Sequence, residues 1–199
     1  LVNVDLQSRR VKEIHKQLNF IRIGTSGCLD ASIPVDSVLI SSHALGLDGL
    51  MNYYEFTYSE EEQQLFSSIS KSALFNNIGI IPYVFAGSAQ LIEKFLTPNR
   101  FTGITATCTG FYGPQGRQLR LQPKLRNFFD QLESLSLQPH QITNFEMETA
   151  GIYGLASLLG HEAVSINLLI ANRKKGEFSN NPTARMENLV SEILYELVS

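Results

Sequence analysis

The chain has 199 residues, of which 43% are hydrophobic and 18% charged, an ordinary globular composition that suffices for one domain over residues 1–199. Its formal net charge of −3 provides no basic surface for a phosphate backbone, which argues against nucleic acid as a partner. The sequence contains neither an apolar run long enough to span a membrane nor a signal-peptide pattern. Its only cysteines, Cys28 and Cys108, lie far apart, which favours a reducing compartment and a cytoplasmic location.

The hydrophobic pattern alternates between helix and strand along the chain, which predicts a layered α/β domain. Helical spacing of Val11, Ile14 and Leu18 predicts a first helix. The predicted strands are short apolar runs, in chain order 20–23, 38–40, 83–85, 101–107 and 163–171. The other predicted helices cover 59–75, a short segment ending near 96, 123–135, 146–159 and 186–197. Ser59 and Glu62 form the capping-box pattern that opens the helix at 59.

Arg22 is followed by the small residues Gly24, Thr25, Ser26 and Gly27, which we expect to form a turn at the end of the first strand. A guanidinium binds phosphate through two hydrogen bonds, and small residues let backbone N–H groups approach an anion. This segment therefore predicts a phosphate or oxyanion site. The alternative is a tight turn that carries an exposed arginine.

Gln115 and Arg117 are separated by one residue in a segment rich in glycine and proline, residues 113–116. In an extended stretch their side chains project to the same side, where the planar amide and guanidinium offer several donors and one acceptor. Phe111 and Tyr112 precede them and can form the walls of the same pocket. The segment predicts a site for a flat polar ligand.

Glu146 and Glu148 lie at the start of a segment that is otherwise apolar. The dipole at a helix N-terminus favours such carboxylates, but a buried carboxylate also needs a partner. At least one of the two can therefore accept hydrogen bonds from the hydroxyls of a ligand.

Asn172 and Arg173 end the apolar strand 163–171. Ligands collect at the carboxyl ends of parallel strands, so these two polar residues are candidates for ligand contact. The alternative is that the strand simply ends here in polar residues.

Taken together, these four segments resemble the nucleoside phosphorylase family, and among its members the uridine phosphorylases most closely. The resemblance implies a three-layer α/β/α sandwich around a mixed central sheet. It also implies a homodimer, or a hexamer built from dimers, that acts in pyrimidine salvage. The implied reaction is phosphorolysis, in which uridine and phosphate give uracil and ribose 1-phosphate. Inorganic phosphate is then a co-substrate, and neither a cofactor nor a metal is required.

The resemblance also assigns roles to individual residues. The implied phosphate ligands are Arg22, Gly24 and Thr25. The implied base contacts are Phe111, Gln115, Arg117, Ile170, Asn172 and Arg173. The implied ribose contacts are Glu146, Met147 and Glu148. Catalysis would rest on Gln115 and Arg117, which stabilise the uracil anion as it leaves, and on Glu148, which fixes the sugar.

Two further expectations concern the substrate and the extent of the chain. Relatives specific for purines place an aspartic acid near the position of Asn172, and an asparagine cannot protonate a leaving purine, so we expect pyrimidine nucleosides as substrates. Family members also carry an N-terminal phosphate loop. This chain begins at Leu1 and has no counterpart to that loop, so we expect it to be the downstream part of a larger protein.

Three other interpretations of the same residues stay open. A nucleosidase would use water in place of phosphate, although Arg22 favours phosphate. A non-catalytic protein would bind the nucleoside without cleaving it. Finally, the motifs could be coincidental turns on an unrelated α/β domain.

Overall fold

The computed structural model describes residues 2–125, 127–135 and 137–198. Within them the chain forms a seven-stranded sheet whose strands lie in the spatial order third, second, fourth, fifth, first, sixth, seventh. The strands are β1 Asn19–Cys28, β2 Val38–Gly46, β3 Tyr83–Ala86, β4 Phe101–Thr107, β5 Ile142–Glu146, β6 Glu162–Asn172 and β7 Glu177–Phe178. The helices are α1 Glu60–Ser70, α2 Ala73–Ile78, α3 Ala89–Phe95, α4 Phe128–Glu133, α5 Thr149–Leu158 and α6 Pro182–Val198. Short 3₁₀ turns occupy Leu50–Tyr53 and Gly113–Gln115.

The sheet is mixed, and five of its strands close into a ring. Strand β1 runs parallel to β6, and β4 runs parallel to both β2 and β5. Strands β1 and β5 are antiparallel and pair only near their carboxyl ends, at Gly27 opposite Phe145 and Cys28 opposite Asn144. Three antiparallel pairs between β2 and β6 complete the ring. The carboxyl-terminal parts of β1, β5 and β6 therefore meet at one place.

Helices cover both faces of the sheet, as the side chains of β6 show, because they point alternately to the two faces. Val164, Ile166 and Leu168 face one side, where they pack with α3 and α6. Ser165 lies on the other side, where its hydroxyl contacts Thr149 of α5 at 2.8 Å. Alternate side chains of a strand point to opposite faces, so the sheet separates two layers of helices. The expected three-layer α/β/α architecture with a mixed central sheet is confirmed.

Each of the five strands of the ring contributes at least one polar side chain to its interior. The hydroxyls of Ser41 and Thr105 lie 2.5 Å apart, and Thr105 donates to Oδ1 of Asn144 over 2.8 Å. Asn144 donates to the hydroxyl of Ser26 at 2.9 Å, and Asn167 donates to that of Ser41 at 3.0 Å. Buried polar groups need such partners, so the five residues hold one another in fixed positions.

The expected first helix is wrong. Val11 instead pairs with Val4 in an isolated antiparallel bridge, and Asn3 exchanges two hydrogen bonds with the backbone of Lys16. A helix this short is marginal unless it buries an apolar face, and Val11 and Ile14 are both exposed. The apolar spacing was therefore not a sign of helix here.

The expected turn at 24–27 is also wrong, because β1 continues through these residues to Cys28. Strand β1 pairs with the parallel strand β6 at every residue from Asn19 to Ser26, and a bulge follows between Ser26 and Gly27. Gly24 and Gly27 thus lie within a strand. Glycine inside a strand is typical of places where another group approaches the backbone closely.

Other predicted bounds also shift. The capping box at Ser59 and Glu62 is confirmed, but the helix ends at Ser70 and Ser72 caps a second one. The helix expected over 146–159 begins only at Thr149, because 142–146 forms β5, a strand that was not predicted. Of the helix expected over 123–135 only α4 forms, and residue 126 lies outside the described residues. In the part of the chain that the structure covers, no helix combines the length and apolar character that a membrane span requires.

Candidate active site

A cavity of about 260 Å³ lies where β1, β5 and β6 meet the loop that follows β4. Nine of the residues predicted from the sequence line it: Arg22, Thr25, Phe111, Gln115, Arg117, Glu146, Met147, Glu148 and Ile170. These residues come from four segments that are distant in the sequence. Their convergence marks this cavity as the candidate site, although a larger cavity, of about 480 Å³, lies between seven residues of the segment 2–20 and residues 152–161.

Arg22 is held in place by its parallel neighbour β6. Its Nη1 donates to Oδ1 of Asn167 at 3.0 Å and to the hydroxyl of Ser165 at 3.2 Å. The guanidinium lies across Gly24, where an added Cβ would approach its atoms to 2.7–2.8 Å. Gly24 does not line the cavity, but a larger residue in its place would displace the Arg22 guanidinium from its present position.

Nη2 of Arg22 faces two carboxylates of different character. Oε2 of Glu148 lies 2.6 Å away and Oε2 of Glu146 lies 3.1 Å away. The Glu146 side chain is only 2% exposed and also accepts from the backbone N–H groups of Glu148 and Thr149 and from the Thr107 hydroxyl. The Glu148 side chain is 55% exposed. Glu146 is thus fixed as a partner of Arg22 and of the start of α5, whereas Glu148 can turn toward a ligand.

Gln115 and Arg117 meet, but not in the extended segment that the sequence suggested. The 3₁₀ turn Gly113–Gln115 ends at Gly116, which has a φ of 61°, and Nη1 of Arg117 then donates to Oε1 of Gln115 and to the carbonyl oxygen of Phe111, both at 2.5 Å. The guanidinium lies 3.8 Å from the centre of the Phe111 ring. Burial lowers the pKa of Arg117, because the surroundings solvate its charge poorly. A poorly solvated cation attracts an anion more strongly than an exposed one.

Arg173 lies outside the cavity and supports this loop. Its Nη1 donates to the carbonyl oxygen of Gln115, and its guanidinium lies 4.7 Å from the centre of the Phe129 ring. Burial, together with the nearby Arg117, lowers its pKa. Arg173 thus holds the backbone of Gln115, and it does not line the cavity in which the resemblance implies a base contact for it.

Asn172 also lies outside the cavity and is fully buried. Its Nδ2 donates to the carbonyl oxygens of Asp30 and Ile33, at 2.8 and 2.9 Å. Its Oδ1 accepts from the backbone N–H groups of Lys174 and Lys175, both at 3.1 Å. Its amide is therefore occupied by two loops, so the expected selectivity for pyrimidines depends on Gln115 and Arg117.

Replacing Asn172 with alanine is expected to destabilise the fold by about 2 kcal/mol, because buried backbone groups lose their partners. Urea denaturation measures this change, and Asn99→Ala, at an exposed position, is the control. Equal unfolding midpoints for the two variants would contradict the structural role.

Five lining residues were not among the predicted ligands: Ser26, Gly27, Phe145, Ala171 and Phe178. Phe145 lies so close to Gly27 that an added Cβ would approach its ring to 2.8 Å. Phe178 belongs to β7, which follows Gly176 with a φ of 66° and pairs back onto Ala171. A glycine after Lys174 and Lys175 is a hairpin signal that could have revealed this strand.

Thiolate chemistry is not available at this site. Burial raises the pKa of the Cys108 thiol to about 12, with a further contribution from the nearby Glu146. Burial likewise raises the pKa of Cys28. Both thiols are therefore neutral near pH 7 and poor nucleophiles.

Within the described residues, the one group of three side chains that could bind a metal consists of His43, Glu61 and His140. None of these three lines the cavity.

Known proteins resemble this chain in both sequence and structure. Among curated relatives, the uridine phosphorylase of Haemophilus influenzae is 29% identical over 178 residues, which cover 88% of this chain and 63% of that protein. The uridine phosphorylase of Thermococcus kodakarensis is 26% identical over 162 residues, which cover 80% of this chain and 50% of that protein. The chain thus spans about half to two thirds of the length of these relatives.

Solved structures confirm the fold. A nucleoside phosphorylase of Trypanosoma brucei, described as showing uridine phosphorylase activity, superimposes with a TM-score of 0.83 at 23% identity, covering 98% of this chain and 72% of that one. Isoform 2 of the Schistosoma mansoni uridine phosphorylase gives a TM-score of 0.61 at 19% identity, covering 92% and 61%. The family model of the phosphorylase superfamily matches residues 2–198. The chain therefore belongs to the phosphorylase superfamily.

Proposed function

We propose that this protein catalyses the phosphorolysis of pyrimidine nucleosides, with uridine and phosphate giving uracil and ribose 1-phosphate. The observation that carries the proposal is the convergence of three kinds of group on one cavity: the Gln115–Arg117 pair, the exposed carboxylate of Glu148, and the guanidinium of Arg22. These suit a base, a sugar and an anion respectively. The curated relatives, which are uridine phosphorylases, support the same reaction.

The base end of the cavity has to stabilise a leaving anion. When the C–N bond of the nucleoside breaks, its electron pair passes to the base and positive charge builds on the sugar, as in other glycosyl transfers. Arg117 and Gln115 donate hydrogen bonds to the uracil oxygens, over which the negative charge of the leaving base is delocalised, and Phe111 packs on the base. Because the negative charge develops only as the bond breaks, these donors favour the transition state over the bound substrate.

The sugar and the phosphate each take one member of the Arg22–Glu148 pair. Glu148 now accepts from Arg22, and ribose hydroxyls offer Glu148 other donors while Met147 packs on the ring. When Glu148 turns to the ribose, Nη2 of Arg22 gains a place for a phosphate oxygen, and the hydroxyl of Thr25 provides another donor. Phosphate is then held beside the anomeric carbon that it attacks. Nucleoside and phosphate should therefore bind cooperatively.

The proposal includes the setting in which the protein works. The resemblance supports a cytoplasmic enzyme of pyrimidine salvage without a cofactor, which assembles as a homodimer or as a hexamer built from dimers. Light scattering of the purified protein measures the assembly, and a monomer at micromolar concentration would contradict this part.

The reaction is tested by measuring the release of uracil from uridine with and without phosphate. We expect release only with phosphate, and slower release of hypoxanthine from inosine. Equal rates with and without phosphate would replace the proposal by a nucleosidase. Uridine that raises the melting temperature but is never cleaved would indicate a nucleoside-binding protein. Faster turnover of inosine would overturn the assignment to pyrimidines.

A further inference from the structure

Two histidines and one glutamate converge at a place that shares no residue with the active-site cavity. His43 lies on β2, Glu61 on α1, and His140 in the segment just before β5. One potential ligand atom from each lies within 4.8 Å of the other two. We propose that these three side chains form a binding site for a divalent transition metal, with zinc the best fit. The proposal does not depend on the function of the cavity.

The separations of the atoms suit a bound ion better than hydrogen bonds. Oε1 of Glu61 lies 3.4 Å from Nε2 of His43 and 3.5 Å from Nε2 of His140. Good N–H···O hydrogen bonds are shorter, at 2.7–3.2 Å. A tetrahedral zinc ion with ligands at about 2.0–2.1 Å keeps its ligand atoms roughly 3.3–3.4 Å apart. Both nitrogen–oxygen distances lie close to that edge of the tetrahedron, and the ligand nitrogens of the two histidines lie within 4.8 Å of each other.

His43 shows that the cluster is incomplete by itself. The side chain of His43 is only 5% exposed, and its Nε2 is buried with no hydrogen-bond partner among the described residues. An unpaired buried polar atom is costly. Its other nitrogen, Nδ1, lies 3.3 Å from the hydroxyl of Ser42. If Nδ1 carries the hydrogen and donates it to Ser42, the lone pair of Nε2 points at the cluster, the arrangement typical of a metal-bound histidine.

The contact between the two histidine rings agrees with this geometry. The rings of His43 and His140 are in edge contact, with their centres 4.6 Å apart, so two imidazolium ions here would repel each other. Glu62 is not a further ligand, because its two oxygens accept from the backbone N–H groups of Ser59 and Ala86. The neutral imidazole is the form that binds a metal.

The choice of zinc follows from the donor set and its exposure. Two imidazoles and one carboxylate suit zinc and similar ions, whereas magnesium and calcium prefer oxygen ligands alone. The side chains of Glu61 and His140 are 63% and 25% exposed, so an ion can enter and water can supply the fourth ligand. The bulge of β2 opposite β4, between Ser41 and His43, sets the position of the histidine. The bound ion would tie α1, β2 and the start of β5 together, and its role would be to stabilise the fold.

The proposal is tested with protein that carries no histidine tag and has been dialysed against a chelator. We expect one zinc ion per chain by titration calorimetry and a rise in melting temperature of about 5 °C or more when zinc is present at 100 times its dissociation constant. Cobalt bound at the same site should give visible absorption bands of the intensity typical of tetrahedral coordination.

Variants assign the binding to these residues. Glu61→Gln and His140→Ala should each weaken zinc binding by roughly 100-fold and remove the cobalt bands. The matched controls are Glu60→Gln on the same helix and His15→Ala, both of which replace exposed residues outside the cluster and should bind zinc as the wild type does. The proposal is overturned if zinc leaves the wild-type melting temperature unchanged, or if Glu61→Gln and His140→Ala retain wild-type affinity.

Discussion

Replacing Arg117 with alanine is expected to lower kcat for uridine phosphorolysis by roughly 10²–10³-fold, the cost of removing one donor that stabilises a developing anion. Arg117 is the charged member of the base end of the cavity, with its guanidinium above Phe111 and bonded to Gln115. Because the uracil charge appears only in the transition state, KM for uridine should change much less than kcat. Initial rates of uracil release at several uridine concentrations measure both constants.

Two further variants separate this role from a purely structural one. Arg117→Lys keeps a positive charge but loses the planar fork, so it should recover only part of the rate. Arg120→Ala removes an exposed arginine from the same loop and should leave kcat unchanged. If Arg117→Ala lowers the melting temperature but not kcat, Arg117 holds the loop through the Phe111 carbonyl and takes no part in catalysis.

Replacing Gly24 with alanine should raise KM for phosphate by about 30–150-fold, although Gly24 does not line the cavity. Its new Cβ would lie within 2.7–2.8 Å of the Arg22 guanidinium and displace it from Asn167 and Ser165. The loss of hydrogen bonds between a guanidinium and phosphate is worth about 2–3 kcal/mol, which corresponds to that change in affinity. Rates at saturating uridine and varied phosphate give the value.

Gly110→Ala is the control for Gly24→Ala. An added Cβ at Gly110 meets only Pro114, at the ordinary contact distance of 3.5 Å. Its KM for phosphate should stay at the wild-type value. Arg22→Ala should reproduce the effect of Gly24→Ala, since both variants remove the same guanidinium from the site. If Gly24→Ala keeps the wild-type KM for phosphate while Arg22→Ala does not, the displacement argument is wrong.

Local patterns in the sequence predicted those helices and strands whose capping residues or hydrophobic spacing lie within a few residues of one another. Ser59 and Glu62 are three residues apart, and their capping box begins α1 as expected. Strand β4 has the predicted bounds, 101–107. The helix expected over 146–159 starts three residues late, because Glu146 ends β5 and its carboxylate accepts from the N–H groups of Glu148 and Thr149. The spacing of acids and apolar residues does not reveal which of them pairs with a neighbouring strand.

The candidate side chains of the site could be named from the sequence, because an arginine beside small residues, or an amide beside a guanidinium in a glycine-rich loop, is unusual wherever it lies. The groups that each of them contacts follow from the tertiary structure alone. Arg22 bonds to Ser165 and Asn167, which are more than 140 residues away, and Asn172 donates to Asp30 and Ile33, in the loop between β1 and β2. Such partners are brought together by strand pairing and ring closure, and a pattern that repeats every two to four residues carries no information about contacts at that separation.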